Sequence, residues 1–323
     1  MNVHRDLGQI PVFRNAVITI GTFDGVHTGH KQIINLLKDE AWKINGEAII
    51  ITFHPHPRKI IGNVSEEIKL INTLEEKIEL LEQNGIHHVV VVPFTSAFSQ
   101  LTADEYIRDF LIAKFNPHTI IIGYDHRFGQ GRKGDYHLLE DGCKKYDYEL
   151  KEIPVHVLNE ISVSSTSIRE AIKKSEIETA NKLLGYDFFF EGKVVEGNKL
   201  GRTIGYPTAN LKIEDEEKIV PGNGVYAVSL SIVNSEWSID SPFTIHNSLK
   251  GMMNIGTRPT IDGTNRTIEV NIFDFSEDIY GKILRVHIKK HLRSEQKFNG
   301  LEALKEQLAK DKINAVEYLN QKK

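Results

Sequence analysis

His27 and His30 stand three residues apart in the stretch Thr22-Phe23-Asp24-Gly25-Val26-His27-Thr28-Gly29-His30. An apolar run at 16–20 precedes the stretch and a helical pattern follows it, so these residues fall at a strand-to-helix turn. Gly25 and Gly29 let backbone N–H groups approach an anion there, and a helix N-terminus adds roughly half a positive charge. The two imidazoles share one face of the first helical turn, beside whatever the turn holds. This is equipment for a nucleotide triphosphate. It is not a Walker loop, because no GxxxxGK[ST] occurs in the chain. From residue types alone, the same pair also fits a helix start without catalytic duty, or half of a zinc site.

A second glycine-rich stretch, Gly129-Gln130-Gly131-Arg132-Lys133-Gly134, satisfies the letters GxGxxG, with Glu152 about 20 residues on. That spells a dinucleotide fingerprint, and with it an NAD(P)-dependent oxidoreductase as an alternative function. Six residues separate the preceding apolar run from its first glycine, which fits a basic loop near the phosphates better.

These motifs need a scaffold. Short apolar runs at 17–20, 48–53, 89–92 and 119–122 read as strands buried on both faces. Amphipathic stretches at about 31–44, 74–84 and 103–114 lie between them, the latter two opened by the capping boxes Thr73/Glu76 and Thr102/Glu105. The alternation predicts a doubly wound parallel sheet with ligands at the carboxyl ends of its strands. Near Gly185 the pattern changes. Short runs at 192–195, 224–232, 267–273 and 283–288, separated by turns such as Pro221-Gly222-Asn223-Gly224 and Asp262-Gly263, predict an antiparallel β-barrel. A last helix at about 301–320 carries Leu301, Leu304, Leu308 and Leu319 on its apolar side, and polar 234–241 reads as a loop. The expected domains are 1–184 and 185–323.

Composition excludes more than it assigns. The 323 residues carry a net charge of −4 with mixed signs, hence no basic stripe for nucleic acid and no cationic face for a membrane. Cys143 is the only cysteine, which rules out internal disulfides and multi-cysteine metal sites. Without a signal-peptide core at the N-terminus or a run near the roughly 20 residues of a membrane helix, the expectation is a cytoplasmic protein, monomeric or weakly self-associating.

The opening turn resembles the G-x-F-D-G-x-H-x-G-H signature of the nucleotidylyltransferases, and Ser164-Ser165-Thr166-Ser167-Ile168-Arg169 resembles their second phosphate-binding motif. Gly205-Tyr206-Pro207-Thr208-Ala209-Asn210 resembles the G-F-P-T-A-N signature of riboflavin kinases, with 254–260 and 269–272 similar to their later blocks. In this order the two sets are similar to the bacterial bifunctional riboflavin kinase/FAD synthetases, over nearly the whole chain. The resemblance implies a Rossmann-like adenylyltransferase domain followed by a six-stranded barrel kinase domain with a C-terminal helix. It implies ATP, riboflavin and FMN as substrates, FAD as product and Mg²⁺ as cofactor.

On that resemblance, His27, His30 and Arg169 act on the triphosphate, and Thr22, Phe23, Asp24, Gly25, Gly29, Ser164, Ser165 and Thr166 bind ATP. FMN attacks through an ionised phosphate oxygen, so positioning and charge stabilisation suffice there. Phe53, in a block resembling F-x-P-H-P, and Asp125, in one resembling G-x-D-F-x-F-G, are expected at the flavin; His126 stands where the latter has Phe. In the second half Glu269 is the expected base, Thr208 and Asn210 the Mg²⁺ ligands, Gly197, Gly201 and Gly205 the nucleotide loop, and Arg293 a flavin neighbour. Asn271 replaces a common His and Met252-Met253 replace smaller residues, all expected away from the chemistry. A flavin-binding module without catalysis is a further alternative.

Overall fold

Five β-branched or alanine residues in succession, Ala16–Ile20, form the middle of a six-stranded parallel sheet. The computed structural model describes residues 1–61, 68–154, 165–197, 200–233, 246–260 and 263–321. Ser164, the loop at 234–241 and Asp262 lie outside the described residues. The sheet comprises β1 (Asn2–His4), β2 (Ala16–Ile20), β3 (Glu47–His54), β4 (His88–Pro93), β5 (Thr119–Ile122) and β6 (Glu149–Glu152), in the order β1-β4-β3-β2-β5-β6. Residues 16–18, 48–51, 89, 90 and 92 are almost fully buried, as expected of strands covered on both faces. The chain steps outward from β2 through β3 to β4, then crosses to the other side of β2 for β5. That reversal leaves a crevice at the carboxyl ends of β2 and β5, where open α/β sheets bind ligands.

Helix α1 (Thr28–Lys43) follows β2 directly, and α2 (Leu74–Gln83) precedes β4. The Thr73/Glu76 box is formed, with Thr73 Oγ1 accepting from Glu76 N at 3.2 Å and Glu76 Oε2 accepting from Thr73 N at 2.9 Å. The 103–115 segment, α3, opens on its Thr102/Glu105 box but widens to a π-helix over Tyr106–Ile112. A fourth helix, α4 (Tyr136–Tyr146), is capped by Asp135.

The chain groups into the units Met1–Ser165 and Thr166–Lys323. Helices α5 (Ser165–Lys173) and α6 (Ile177–Leu184) precede the change of sheet type. Within the second unit Asn181 fixes the end of α6: its Nδ2 donates to Ile288 O and its Oδ1 accepts from Phe188 N. The strands β7 (Phe189–Val195), β8 (Ala209–Lys212), β9 (Gly224–Val233), β10 (His246–Thr260), β11 (Gly263–Ile272) and β12 (Ile283–Arg293) close into an antiparallel barrel, ordered β10-β11-β8-β7-β12-β9. Helix α7 (Leu301–Gln321) packs Ala315 and Leu319 against Ala227, Met252 and Phe273. Leu304, Leu308 and Leu319 face inward as expected, but Leu301 at the helix start is exposed.

Candidate active sites

The first site grows from the turn after β2. His27 is the N-cap of α1: its Nδ1 accepts from His30 N at 3.4 Å, which fixes the remaining ring proton of the neutral form on Nε2. The His27 and His30 rings stack with centroids 3.7 Å apart, and Phe23 lies 4.9 Å beyond His30. The turn is held in unusual backbone, with φ of +49° at Phe23, +90° at Gly25 and +36° at Val26. A β-branched residue at positive φ is strained. The surroundings enforce it: Asp24, almost fully buried, accepts from Ile71 N and Asn72 N. Ser165 Oγ donates to Asp24 O, and Thr52 Oγ1 to Thr22 O. Asp24 and Ser165 therefore scaffold the turn through bonds that the sequence motif does not reveal.

Lys77, missed by sequence reasoning, reaches in from α2. Its Nζ donates to Thr22 O at 3.1 Å and Thr52 Oγ1 at 3.0 Å, and burial brings its pKa down to about 8 against the pull of Asp24. Burial, then His27 and Lys77, hold His30 well below the ordinary imidazole range, so His30 is neutral at physiological pH. Its Nδ1 is shielded and has no hydrogen-bond partner among the described residues. Lys77 lies in an amphipathic helix with no motif around it, so only tertiary structure marks it.

A cavity of about 600 Å³ opens over this turn, lined at the strand ends by Thr22, Phe23, His30, Phe53, Asp125 and His126 among others. Phe53, Phe94 and Phe98 cluster in its wall, with Phe94 edge-to-face to each of the other two. Its size and apolar lining suit a flat heteroaromatic ligand. Of the expected residues, the structure brings Thr22, Phe23, His30, Phe53 and Asp125 together here. Gly29 is buried in the first turn of α1. Thr166 and Arg169 stand on α5, the former exposed and the latter half-buried. The 129–134 loop is a short 3₁₀ turn closed by a Phe128–Gly134 bridge, with no strand running into its first glycine. It is not the strand-to-helix turn a dinucleotide fingerprint requires.

In the second unit, Asn210 faces Glu269 across β8 and β11, and Asn254 faces Glu269 across β10 and β11. Paired residues share a sheet face, so Asn210, Glu269 and Asn254 form one polar row. Strand register thus places Asn254, the first residue of the 254–260 block, opposite Glu269. A cavity of about 250 Å³ holds Glu269, Asn254, Arg293 and the apolar Met252, Met253 and Phe298. Asn271 and both methionines line its wall. Asn271 Nδ2 also donates to Pro207 O at 2.7 Å. A neighbouring cavity of about 520 Å³ is lined by Arg202, Pro207 and Ala209. Thr208 belongs to the walls of both.

Three glycines shape this region differently. A Cβ on Gly197 would lie 2.0 Å from Asn210 Nδ2, and one on Gly201 2.2 Å from Tyr206 O, so both positions need the missing side chain. Gly205 has open space but φ of +84°. Arg293 borders the cavity with its guanidinium engaged: Nε and Nη2 donate to Asp311 at 2.9 and 2.7 Å, and Asp311 is buried. Arg293 therefore clamps α7 to the barrel and stacks 5.6 Å from Phe298.

Among the described residues no group of three or more His, Cys, Asp or Glu could hold a metal, and no helix is long and apolar enough to cross a membrane. The sequence model of the FAD synthetase family matches residues 9–167, and that of the riboflavin kinase family residues 184–319. The bifunctional riboflavin kinase/FMN adenylyltransferase of Escherichia coli (strain K12) is 35% identical over 313 residues, 97% of this chain and 95% of that protein. The protein of the same description from Bacillus subtilis (strain 168) is 37% identical over 94% of this chain and 93% of its own length. A crystal structure described as a macrolide-efflux protein from Streptococcus pneumoniae matches with a TM-score of 0.80 at 31% identity, covering 96% of each chain. The oxidoreductase alternative finds no support in these families or in the 129–134 loop.

Proposed function

Because the chain belongs to the family of bifunctional riboflavin kinase/FMN adenylyltransferases, we propose that it makes FMN from riboflavin and ATP, then FAD from FMN and a second ATP with release of pyrophosphate. The observation that carries this reading is the separation of the two motifs into two cavities, one over the β2 turn and one in the barrel. We draw the functional boundary at 184/185, where the sheet type changes and the kinase family match begins.

In the adenylyltransferase domain an ionised FMN phosphate oxygen bonds to the α-phosphorus of ATP while the bond to the pyrophosphate oxygen breaks. No protein base is needed. We assign His27 Nε2–H, the neutral His30 ring and the backbone N–H groups of the α1 start to the charge that develops on the phosphates. Ser165, Thr166 and Arg169 at the start of α5 are assigned to the departing pyrophosphate. Phe53 and its aromatic neighbours cover the flavin ring, with Asp125 at the rim.

In the kinase domain we place riboflavin beside Glu269 and the ATP phosphates in the cavity that shares Thr208. Glu269 takes the proton of the attacking ribityl hydroxyl, a role worth about 10²–10⁴ in rate. Thr208 hydroxyl and Asn210 amide oxygen are hard donors beside a carboxylate, and Gly197 leaves room for the amide. That donor set fits Mg²⁺ arriving with ATP, which would neutralise phosphate charge.

Glu269→Gln and His30→Ala test the assignment as a pair. The first should lower FMN formation by about 10²–10⁴ and leave conversion of supplied FMN to FAD intact. The second should lower FAD formation by about 10²–10³ and spare the kinase. Parallel loss of both activities in either variant would contradict separate sites.

A further inference from the structure

One polar atom in the sheet cavity takes no part in the chemistry above. His126 follows Asp125 in the loop after β5 and lines the cavity with Phe53, Phe94, Phe98 and Phe128. Its ring lies along Phe128, centroids 5.9 Å apart and planes 30° from parallel, and its backbone N–H donates to Gly123 O at 3.1 Å. Ring and backbone are thus both held. Nε2 is shielded from solvent, and no described protein group bonds it. A buried ring nitrogen left without a partner is unfavourable, and this one stands in the wall of a ligand-sized cavity. Burial brings the pKa of the ring down to about 4, with Asp125 opposing and Arg132 adding to the shift. The ring is therefore neutral at physiological pH and presents one donor and one acceptor nitrogen.

We propose that His126 is a specificity-determining residue of the adenylyltransferase site, its Nε2 hydrogen-bonding the polar edge of the FMN ring system. Phe53, Phe94, Phe98, Tyr106 and Phe128 line the same cavity, an aromatic wall that suits a flat ring system beside His126. The inference rests on the reading of this cavity as the FMN site.

The test uses the full chain with His126→Phe, which keeps a planar ring, and His126→Gln, whose amide reaches the position of Nε2. Quenching of flavin fluorescence gives the FMN Kd, and steady-state FAD formation gives KM for FMN and for ATP separately. The Phe variant should bind FMN about 3–10-fold more weakly, the scale of one hydrogen bond, with ATP KM and kcat close to wild type. The Gln variant should stay within about twofold of wild type. His126→Leu is the second apolar replacement if Phe lowers the melting temperature. Unchanged FMN affinity in the apolar variants, equal weakening by Gln and Phe, or a change in ATP KM in place of FMN KM would overturn the inference alone. A wild-type chain that makes no FAD would overturn the reading of the cavity together with it.

Discussion

A single methyl group at Gly197 interrogates the kinase site. A Cβ there would lie 2.0 Å from Asn210 Nδ2, 2.4 Å from its Cγ and 2.8 Å from its Oδ1, whereas ordinary contact begins at 3.4 Å. In Gly197→Ala the amide must therefore withdraw by about 1.4 Å, the difference between 3.4 and 2.0 Å. Asn210 is the direct cross-strand partner of Glu269, so the displacement falls where γ-phosphate, metal and ribityl hydroxyl are proposed to meet. Misplacing a positioning group by about 1 Å costs about 10²-fold in rate, which sets the expected fall in FMN formation. Overpacking adds about 1–3 kcal/mol of destabilisation, read separately from a thermal melt. The assay follows riboflavin phosphorylation against ATP and Mg²⁺ concentration, with FAD formation from supplied FMN as the control in the same chain. A Gly197→Ala chain with wild-type kinase rate and unchanged Mg²⁺ dependence would refute the placement of Asn210 at the reacting phosphates.

Two further outcomes probe buried charge. Lys77 has a folded-state pKa of about 8 against the ordinary 10.5, so between these values the unfolded chain keeps a proton that the folded chain has released. Stability attributable to Lys77 therefore rises with pH across that window, at up to about 1.4 kcal/mol per pH unit, about 3 kcal/mol in all. In Lys77→Met this increment should vanish from urea unfolding of the first domain, and FAD formation should fall as Thr22 loses its donor; parallel pH curves for the two proteins would contradict a buried ammonium under the turn. Asp311→Ala leaves Arg293 without its buried carboxylate and should cost about 3–5 kcal/mol, seen as a lower melting transition of the barrel with FAD synthesis from FMN retained. An unaltered melt would mean that the clamp does not hold α7.

What the sequence disclosed follows burial. Strands β2 to β5 are covered on both faces, so each needs an unbroken apolar run, and all four were legible. The edge strands β1 and β6 were not: Asn2–His4 is too short, and Glu149-Leu150-Lys151-Glu152 is charged as an edge should be. In the barrel, β8 has only four residues, and β10 carries Gly251, Gly256 and Pro259, residue types that weaken a strand pattern. The π-helical widening at Tyr106–Ile112 keeps the amphipathic character of a helix and leaves no mark in the pattern. The histidine turn carries a local spacing signal, whereas Glu269 entered only through the resemblance to the riboflavin kinases. Lys77, the placement of Asn254 opposite Glu269 and the Asp24 anchorage depend on partners 15 to 141 residues away and had no local signal.

One chain is proposed to carry out two successive reactions. Incubation of the 323-residue chain with riboflavin, ATP and Mg²⁺, followed by chromatography of the flavins over time, measures both at once. FMN should accumulate first and FAD should follow, with one pyrophosphate released per FAD. Riboflavin that remains unconverted, or FMN that accumulates without any FAD, would contradict the account.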